Sequence, residues 1–471
     1  MSDTWSSPLS ERYASPEMLE LWSANTRYGL WRRLWLALAE GEKELGVDIP
    51  SPAIDQMRAN VDAIDFDAVS KYERSFRHDV MAHVHAFGDA APAAKPFIHL
   101  GATSAYVTDN ADLILMRRGL EILEARISSI LTALTAFARK WKDEPTLGYT
   151  HLQPAQLTTV GKRATLWMQD LVLDLQESRR RRAELPLRGV KGTTGTQATF
   201  LDLFRGDHEK VRRLERIVAE KMGFVAVVPV TGQTYTRKID AMVLSVVAGA
   251  SASAAKFSAD LRMLQSFGEM EEPFEPEQIG SSAMPYKRNP MRCERIAALS
   301  RFVITLEVNA NLTHSVQFLE RTLDDSANRR LVIPESFLAT DAVLILMDNV
   351  VRGLRVNTAR IAERVAAELP LMATERIILR AVSAGTDRQK AHEVVRRHSA
   401  AAGDGQSIAT FLDRLAADAE LGLSRSEVAQ AVNPNDFIGR APQQVEEFLD
   451  EVVGPLLEGQ TTPRSPAEIR V

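Results

Sequence analysis

Apolar residues recur every three or four positions over several long stretches of the chain, which is the spacing that places them on one face of an α-helix. The longest stretch runs from Leu113 to Trp141, and no proline interrupts it. Similar stripes run from Ile239 to Leu264 and from Phe337 to Val351, and a fourth helical segment covers Leu157 to Leu185. The pattern therefore predicts long helices over much of residues 104–356.

Strand patterns are few and short. Alternation is clearest at Gly223–Val230, which predicts either a strand or a loop. Long helices with Ala-rich and Leu-rich stripes need partner helices, because one chain of this size cannot bury every side of them. We therefore expect an all-α fold in which the long central helices form an oligomeric bundle.

Shorter helical segments precede and follow the long-helix region, and prolines and glycines punctuate the later part of the chain. This pattern divides the chain into a long-helix region and a shorter-helix region on each side of it. Their expected bounds are residues 1–103 for the N-terminal domain, 104–356 for the central long-helix domain and 357–471 for the C-terminal domain.

Composition narrows the classes of function. The net charge of −5 does not favour a general nucleic-acid binder, so an anionic ligand would need local cations. The only cysteine, Cys293, cannot form an internal disulfide, and the N-terminus lacks the pattern of a secretory signal, which together favour the cytoplasm. The stretch 241–257 is rich in Ala and Ser and predicts a close-packed buried helix rather than a membrane span.

The stretch Gly280–Pro290, GSSAMPYKRNP, combines small, polar and basic residues with two prolines. Asn289 followed by Pro290 predicts a helix start, with the asparagine as cap and the proline at the first helical position. The N-terminus of that helix, together with Lys287, would favour a bound anion and lower the cost of ionising a serine. A polar surface loop is the alternative interpretation.

A second candidate segment, YTHLQPAQ, places His151 just before a proline-containing turn and a helix. An imidazole at such a place can donate or accept a proton near neutral pH. The alternative is a histidine that only caps backbone groups.

Two further segments allow more than one interpretation. RHDVMAHVH spans Arg77–His85, and its histidine spacing does not match a zinc motif. His78 and His85 would share a helical face, and Arg77 with His78 suits an anion better than a metal. GVKGTTGTQ lacks the Gly-Lys-Ser/Thr ending of a P-loop, so it predicts either a backbone cradle for an anion or a flexible turn.

GSSAMPYKRNP resembles the signature loop of the fumarase and aspartase superfamily, and its MPYKRNP ending is similar to that of adenylosuccinate lyases. Many bacterial members carry His where this chain has Tyr286. A tyrosine at this position resembles the branch that includes the animal enzymes. The resemblance extends over almost the whole chain. The other matching segments are SERYASPEM, RHDVMAHVH, HLGATS, THLQPAQLTTVGKR, RGVKGTTGTQA, TGQTYTRK, MEEPFE and ERTLDDSANRR.

This resemblance implies three mostly helical domains and a homotetramer with a central helical bundle, in which three subunits contribute segments to each active site. It implies β-elimination of fumarate from adenylosuccinate, which gives AMP, and from succinylaminoimidazole carboxamide ribotide, which gives the carboxamide ribotide (AICAR). It implies no cofactor and no metal. The expected partner is a small nucleotide, with neither nucleic acid nor membrane.

The resemblance also assigns roles to residues at matching positions. Ser281, as its alkoxide, would be the general base, and His151 would be the general acid that protonates the departing nitrogen. The expected contacts of the succinyl carboxylates are Thr103, Ser104, Gln233, Lys287 and Asn289. The expected contacts of the nucleotide end are Arg12, Tyr13, Arg295, Ser326 and Arg330, and the binding set is completed by Arg77, His78 and Asp79. Another lyase of the superfamily, or a non-catalytic binding protein on this scaffold, is the alternative.

Overall fold

The structure, a computed structural model, describes residues 4–403 and 410–458. Residues 459–471 of the predicted C-terminal domain therefore lie outside the described part. The helices are α1 (Pro16–Leu21), α2 (Ala24–Glu44), α3 (Ser51–Ala59), α4 (Phe66–Phe76), α5 (Asp79–Ala90), α6 (Ser104–Lys140), α7 (Val160–Glu184), α8 (Ala198–Leu203), α9 (His208–Lys221), α10 (Lys238–Phe267), α11 (Met291–Ser315), α12 (Asp324–Arg352), α13 (Thr358–Met372), α14 (Thr374–Ser383), α15 (Arg388–Gly403), α16 (Phe411–Ala417), α17 (Arg425–Gln430), α18 (Ala441–Phe448) and α19 (Gly454–Leu457). The strands are β1 (Pro145–Thr150), β2 (Gln153–Thr159), β3 (Met270–Glu271) and β4 (Arg355–Val356).

Five long helices, α6, α7, α10, α11 and α12, pack side by side in the middle of the molecule. The predicted stripe between Leu113 and Trp141 lies in α6, and Trp141 is the residue that follows its last turn. Leu120 and Leu134 of this stripe have no exposed surface. Burial of such apolar stripes between helices is the main source of stability in a bundle. The predicted all-α fold with long central helices is confirmed.

Of the two alternatives predicted for Gly223–Val230, the structure shows the loop and not the strand. This stretch is a loop that makes only an isolated bridge between Leu187 and Val227, and Val225 and Val230 are almost fully exposed. The alternating pattern therefore has no partner strand to bury its apolar side. An antiparallel hairpin forms instead from β1 and β2, and a second short pairing joins β3 to β4.

The apolar helix α10 lies inside the bundle. It is long and apolar enough to cross a membrane, but 56% of its most apolar window is buried within the protein. It packs against α7, α11 and α12, and its small residues allow close approach of these neighbours. The close-packed helix predicted between residues 241 and 257 is found within a helix of 30 residues.

The C-terminal part of the chain contains a core of its own. Buried side chains between Ala373 and Ala431 form a cluster that is separate from the main core. The flanking helices α13 and α18 instead contribute Val365 and Val445 to the main core. The predicted domain boundary at residue 357 stays a prediction.

Candidate active site

A cavity of about 700 Å³ opens between the first helices of the chain and the bundle. Its walls come from α2, the junction of α4 and α5, the first turns of α6, and the start of α12. Seven residues that the sequence predicted as binding groups line it: Arg77, His78, Asp79, Ser104, Gln233, Ser326 and Arg330. Folding thus brings together side chains from distant parts of the chain, since the first and last of these residues are 253 positions apart.

The junction of α4 and α5 presents Arg77 and His78 to the cavity. Arg77 ends α4 in a left-handed conformation with φ of 54°, and His78 is the N-cap of α5. The Nδ1 atom of His78 accepts a hydrogen bond from the Met81 N–H at 3.3 Å, and Nε2 lies 3.4 Å from the Ser104 hydroxyl. In the neutral ring the proton is therefore on Nε2, facing the cavity.

This geometry corrects the prediction that His78 and His85 share a helical face, because α5 begins only after His78. His83 is buried beside Tyr28, and burial lowers its pKa to about 4. No group of three or more His, Cys, Asp or Glu side chains within residues 4–403 and 410–458 is arranged to hold a metal ion.

Asp79 and Arg330 form an ion pair across the cavity wall, with 2.5 Å between carboxylate and guanidinium. Burial alone would raise the pKa of Asp79, but the hydrogen bond and charge of Arg330 hold it below the usual value. Arg330 is therefore already paired before any ligand arrives. An anionic ligand must share this arginine with Asp79 or displace the carboxylate.

The floor of the cavity is a buried network of charges. Arg237 pairs with Asp109 at 3.0 Å and with Asp325 at 2.6 Å. Arg329 pairs with Asp240 at 2.7 Å and with Asp112 at 3.0 Å. These arginines are neutralised by buried carboxylates, so they fix the shape of the floor rather than supply free positive charge.

The arginines that face the cavity differ in how much of their charge is compensated. Arg27 pairs with Asp112 at 2.9 Å, and Arg321 pairs with Asp325 at 3.2 Å. In the described residues Arg77 has no such ion pair, which makes it the strongest anion attractor on the wall. Sequence reasoning missed Arg27 and Arg321, although Arg321 stands inside the matching segment ERTLDDSANRR.

Three polar residues complete the walls or lie just behind them. Gln233 donates from its side-chain amide to the Thr193 carbonyl at 3.2 Å, which ties it to the glycine-rich loop. Thr103 precedes α6, and its hydroxyl is buried with no hydrogen-bond partner in the described part of the protein. Thr103 does not line the cavity, whereas its neighbour Ser104 does.

The glycine-rich segment GVKGTTGTQ is built into the protein as a folded loop. Gly189, Gly192 and Gly195 have φ values between 80° and 83°, a region that favours glycine. Lys191 is buried against Glu215 at 2.7 Å, so its charge is compensated internally. The charge of Lys191 is therefore not available to a ligand, and the backbone cradle for an anion stays a prediction.

His151 stands at the tip of the β1–β2 hairpin, not before a helix as predicted. His151 and Leu152 are the two central residues of the turn, with φ values of 53° and 59°. Two positive φ values match the twist of a two-residue hairpin turn, although neither residue has the usual Asn or Gly chemistry. His151 and Leu152 are both exposed at this turn.

Ser281 lies in an exposed loop between β3 and α11. Its Oγ atom accepts hydrogen bonds from the N–H groups of Ala283 at 3.3 Å and Met284 at 3.1 Å. Two N–H donors aimed at one oxygen favour its anion. The loop is closed at its base, where the Asn289 side chain donates to the Gly280 carbonyl at 2.8 Å.

The predicted cap of the following helix is wrong. Helix α11 begins at Met291, and Asn289 is used to close the loop. Glu272 caps the helix instead, because its carboxylate accepts the N–H groups of Arg292 and Cys293, each at 3.0 Å. The N-terminal dipole is therefore already matched by a protein anion and does not assist Ser281.

Arg12, Tyr13 and Arg295 gather outside the cavity. The Arg295 guanidinium lies over the Tyr13 ring, 5.6 Å from its centroid, and Arg12 precedes Tyr13 in a short helical turn. The structure thus separates the predicted site into four parts: the cavity, this group of three residues, the Ser281 loop with Lys287 and Asn289, and the His151 tip. Within one chain, neither Ser281 nor His151 lines the cavity.

The fold and this site define a helical lyase. A family profile described as Lyase matches residues 14–305, and one described as Adenylosuccinate lyase C-terminus matches residues 370–448. Fumarate lyase from Mesorhizobium sp. BNC1 is similar with a TM-score of 0.79 at 22% identity, over 96% of this chain and 99% of that one. A 3-carboxy-cis,cis-muconate lactonizing enzyme from Pseudomonas putida is similar with a TM-score of 0.82 at 22% identity, over 94% of this chain and 97% of that one.

The chain belongs to the adenylosuccinate lyase family. It is 48% identical to the adenylosuccinate lyase of Schizosaccharomyces pombe, over 96% of each chain. It is 49% identical to that of Saccharomyces cerevisiae, over 97% of this chain and 96% of the relative. The resemblance inferred from the sequence is therefore confirmed, and the protein is a lyase.

Proposed function

We propose that this lyase releases fumarate by β-elimination from adenylosuccinate, leaving AMP, and from succinylaminoimidazole carboxamide ribotide, leaving the carboxamide ribotide. The observation that carries the proposal is the hydroxyl of Ser281, which accepts two backbone N–H groups in a loop of the expected sequence. These donors stabilise an alkoxide, which is the form a serine needs to act as a base.

The reaction begins at the succinyl carbon whose C–H lies next to a carboxylate. The Ser281 alkoxide takes this proton, and the electron pair moves into the carboxylate to give an aci-carboxylate. Lys287 can stabilise that charge, since no described carboxylate forms an ion pair with its ammonium group. The C–N bond then breaks, His151 gives a proton to the departing nitrogen, and fumarate leaves.

The cavity supplies the binding half of the site. Arg77 and Arg330 attract anionic groups of the substrate, and Ser104, Gln233 and Ser326 offer hydrogen bonds. Arg12, Tyr13 and Arg295 would join it from elsewhere in the assembly. Which of these groups contacts phosphate and which contacts the succinyl carboxylates follows the assignment made from the sequence.

We infer that copies of the chain complete each site, in a cytoplasmic homotetramer. Support comes from the position of Ser281 and His151, which lie off the cavity of their own chain. Support also comes from α11, where Ile304, Val308 and Leu312 form an exposed apolar stripe on a bundle helix. Such a stripe on a long helix is typical of an interface between subunits.

The direct test follows adenylosuccinate by ultraviolet absorbance with purified protein. Ser281→Ala should lower kcat by at least a hundredfold and leave substrate binding in place, because the hydroxyl acts mainly in the transition state. Ser282→Ala is the matched control, since it removes the adjacent hydroxyl of the same loop. Near-normal turnover by Ser281→Ala would refute the base assignment.

Mixing tests the shared site. Ser281→Ala and His151→Gln proteins should each be inactive, and a mixed tetramer should regain activity at sites that receive one intact residue from each variant. Fumarate release from argininosuccinate or aspartate instead of adenylosuccinate would favour another lyase of the superfamily. Binding of adenylosuccinate with no product would favour the non-catalytic alternative.

A further inference from the structure

The hairpin that carries His151 is held by few contacts near its tip. Residues 150–153 are exposed, and the strand pairing is irregular between Leu147 and Tyr149. Tyr149 is therefore the last half-buried side chain of β1 before the turn. The contacts of Tyr149 decide where the turn lies.

Tyr149 is fixed by a residue of the C-terminal region. Its hydroxyl accepts a hydrogen bond from Arg364 Nη2 at 2.7 Å, and its ring packs on Phe267 with 5.5 Å between centroids. Arg364 belongs to α13, and its guanidinium also lies over the Phe267 ring at 4.4 Å. A charged donor makes this hydrogen bond stronger than a neutral one.

Arg364 is itself oriented by a buried acid. Its Nε atom lies 2.7 Å from Glu269 Oε1, and the Glu269 side chain is only 1% exposed. On the other side of Glu269, Arg163 lies at 4.0 Å and donates to the Leu147 carbonyl at 2.5 Å. Two arginines that share one buried carboxylate therefore bind β1 at Leu147 and at Tyr149.

Glu269 also begins the segment that leads to the Ser281 loop. Glu271 pairs with Arg288 at 3.5 Å on the returning side of that loop, and Glu272 caps α11. The backbone of Glu269 accepts the Asn357 N–H at 2.9 Å, just before α13. One short stretch thus connects the hairpin, the C-terminal region and the base of the loop.

We propose that Arg364 and Glu269 are positioning residues that set the location of the His151 imidazole through Tyr149. None of the described residues of the C-terminal region lines the cavity, and this contact gives that region a role in catalysis. The proposal rests on the proposed function of His151 as general acid. A proton donor displaced by about an ångström loses much of its contribution, while the substrate contacts in the cavity stay intact.

Tyr149→Phe is the test variant, because it removes the hydroxyl and keeps the ring on Phe267. We expect kcat for adenylosuccinate to fall about tenfold with KM within about twofold of the parent. Hydrogen exchange of the backbone amides at 149–153 should become faster. Arg364→Gln should behave alike, and Arg364→Lys should recover part of the loss because it keeps the charge.

Arg376→Gln is the matched control. Arg376 forms an ion pair with Asp436 at 2.7 Å within the C-terminal region and is not in contact with the hairpin. It should change neither kcat nor exchange at 149–153, even if the melting temperature falls. The proposal is overturned if Tyr149→Phe keeps full kcat, or if it loses kcat with unchanged exchange at the tip.

Failure of the proposed function would look different. Parent protein that does not convert adenylosuccinate would refute that function, while the exchange measurement would still decide whether Arg364 holds the hairpin. An exchange rate at 149–153 that is the same in parent and Arg364→Gln protein would refute the positioning role whatever the substrate.

Discussion

Gly280→Ala tests whether the closed base of the Ser281 loop is needed for catalysis. A methyl group at Gly280 would lie 2.2 Å from the Lys287 carbonyl oxygen and 3.1 Å from the Phe274 ring. Side-chain carbons essentially never approach closer than 3.0 Å, so the two sides of the loop must separate by about 0.8 Å. Glycine is required here by close approach of the backbone, since its φ is not in the left-handed region.

This separation should stretch the 2.8 Å hydrogen bond from Asn289 to the Gly280 carbonyl and move the neighbouring Ser281. A displacement of about 1 Å in a catalytic group can lower the rate about a hundredfold, which corresponds to about 2.7 kcal/mol. The loop is exposed and contributes little to the core. We therefore expect kcat to fall about a hundredfold while the melting temperature changes by less than about 2 °C.

The assay compares kcat for adenylosuccinate with the melting temperature of the same preparation. Gly454→Ala is a suitable control, because its added methyl group would meet nothing closer than 3.3 Å. It should leave both measurements near those of the parent. A Gly280→Ala protein with kcat within about threefold of the parent would show that the tight loop base is dispensable.

Two other predictions concern the cavity and the core. Asp79→Asn should release Arg330 from its competing carboxylate, so AMP should bind several-fold more tightly when its affinity is measured by calorimetry. An unchanged affinity would show that Arg330 does not contact the ligand. Burial holds the pKa of His83 at about 4, below its unfolded value near 6.5. Between pH 4 and 6.5 the unfolded chain therefore binds more protons than the folded chain, so stability must rise with pH in this range. The change in the free energy of unfolding over this range is about 3 kcal/mol at most. Denaturant unfolding measured from pH 4 to 6.5 should show a weaker dependence of stability on pH for His83→Gln than for the parent. The same dependence in both proteins would contradict a buried neutral imidazole.

Much of the fold was predictable because helical periodicity is a local signal. The stripes in α6, α10 and α12 were all visible as apolar residues three and four positions apart. The β1–β2 hairpin was missed because its turn is His151–Leu152 rather than a pair such as Asn-Gly. Of the strand and the loop predicted at 223–230, the loop formed, because alternation alone does not supply a partner strand.

Seven of the binding residues predicted from the sequence line one cavity, but the sequence did not predict how the charges around them are arranged. The motif ERTLDDSANRR indicated Ser326 and Arg330 as binding residues but did not indicate Arg321 in the same segment. The sequence also predicted a free positive field at the N-terminus of α11. In the structure the Glu272 carboxylate binds the N–H groups there, so this field is already compensated. Sequence spacing does not reveal such a contact, because Glu272 and Arg292 are 20 positions apart and a long loop lies between them.

The sequence by itself determined the long helices, the family and the chemical character of the segments, since each depends on residues that are close together in the chain. The tertiary structure decided which charges are available. Arg237 and Arg329 are neutralised in a buried network, whereas Arg77 faces the cavity without an ion pair in the described part of the chain. The strength of a charge depends on its distance from other charges and from water, and in this protein the deciding partners lie as many as 251 positions apart, as in the pair of Asp79 and Arg330.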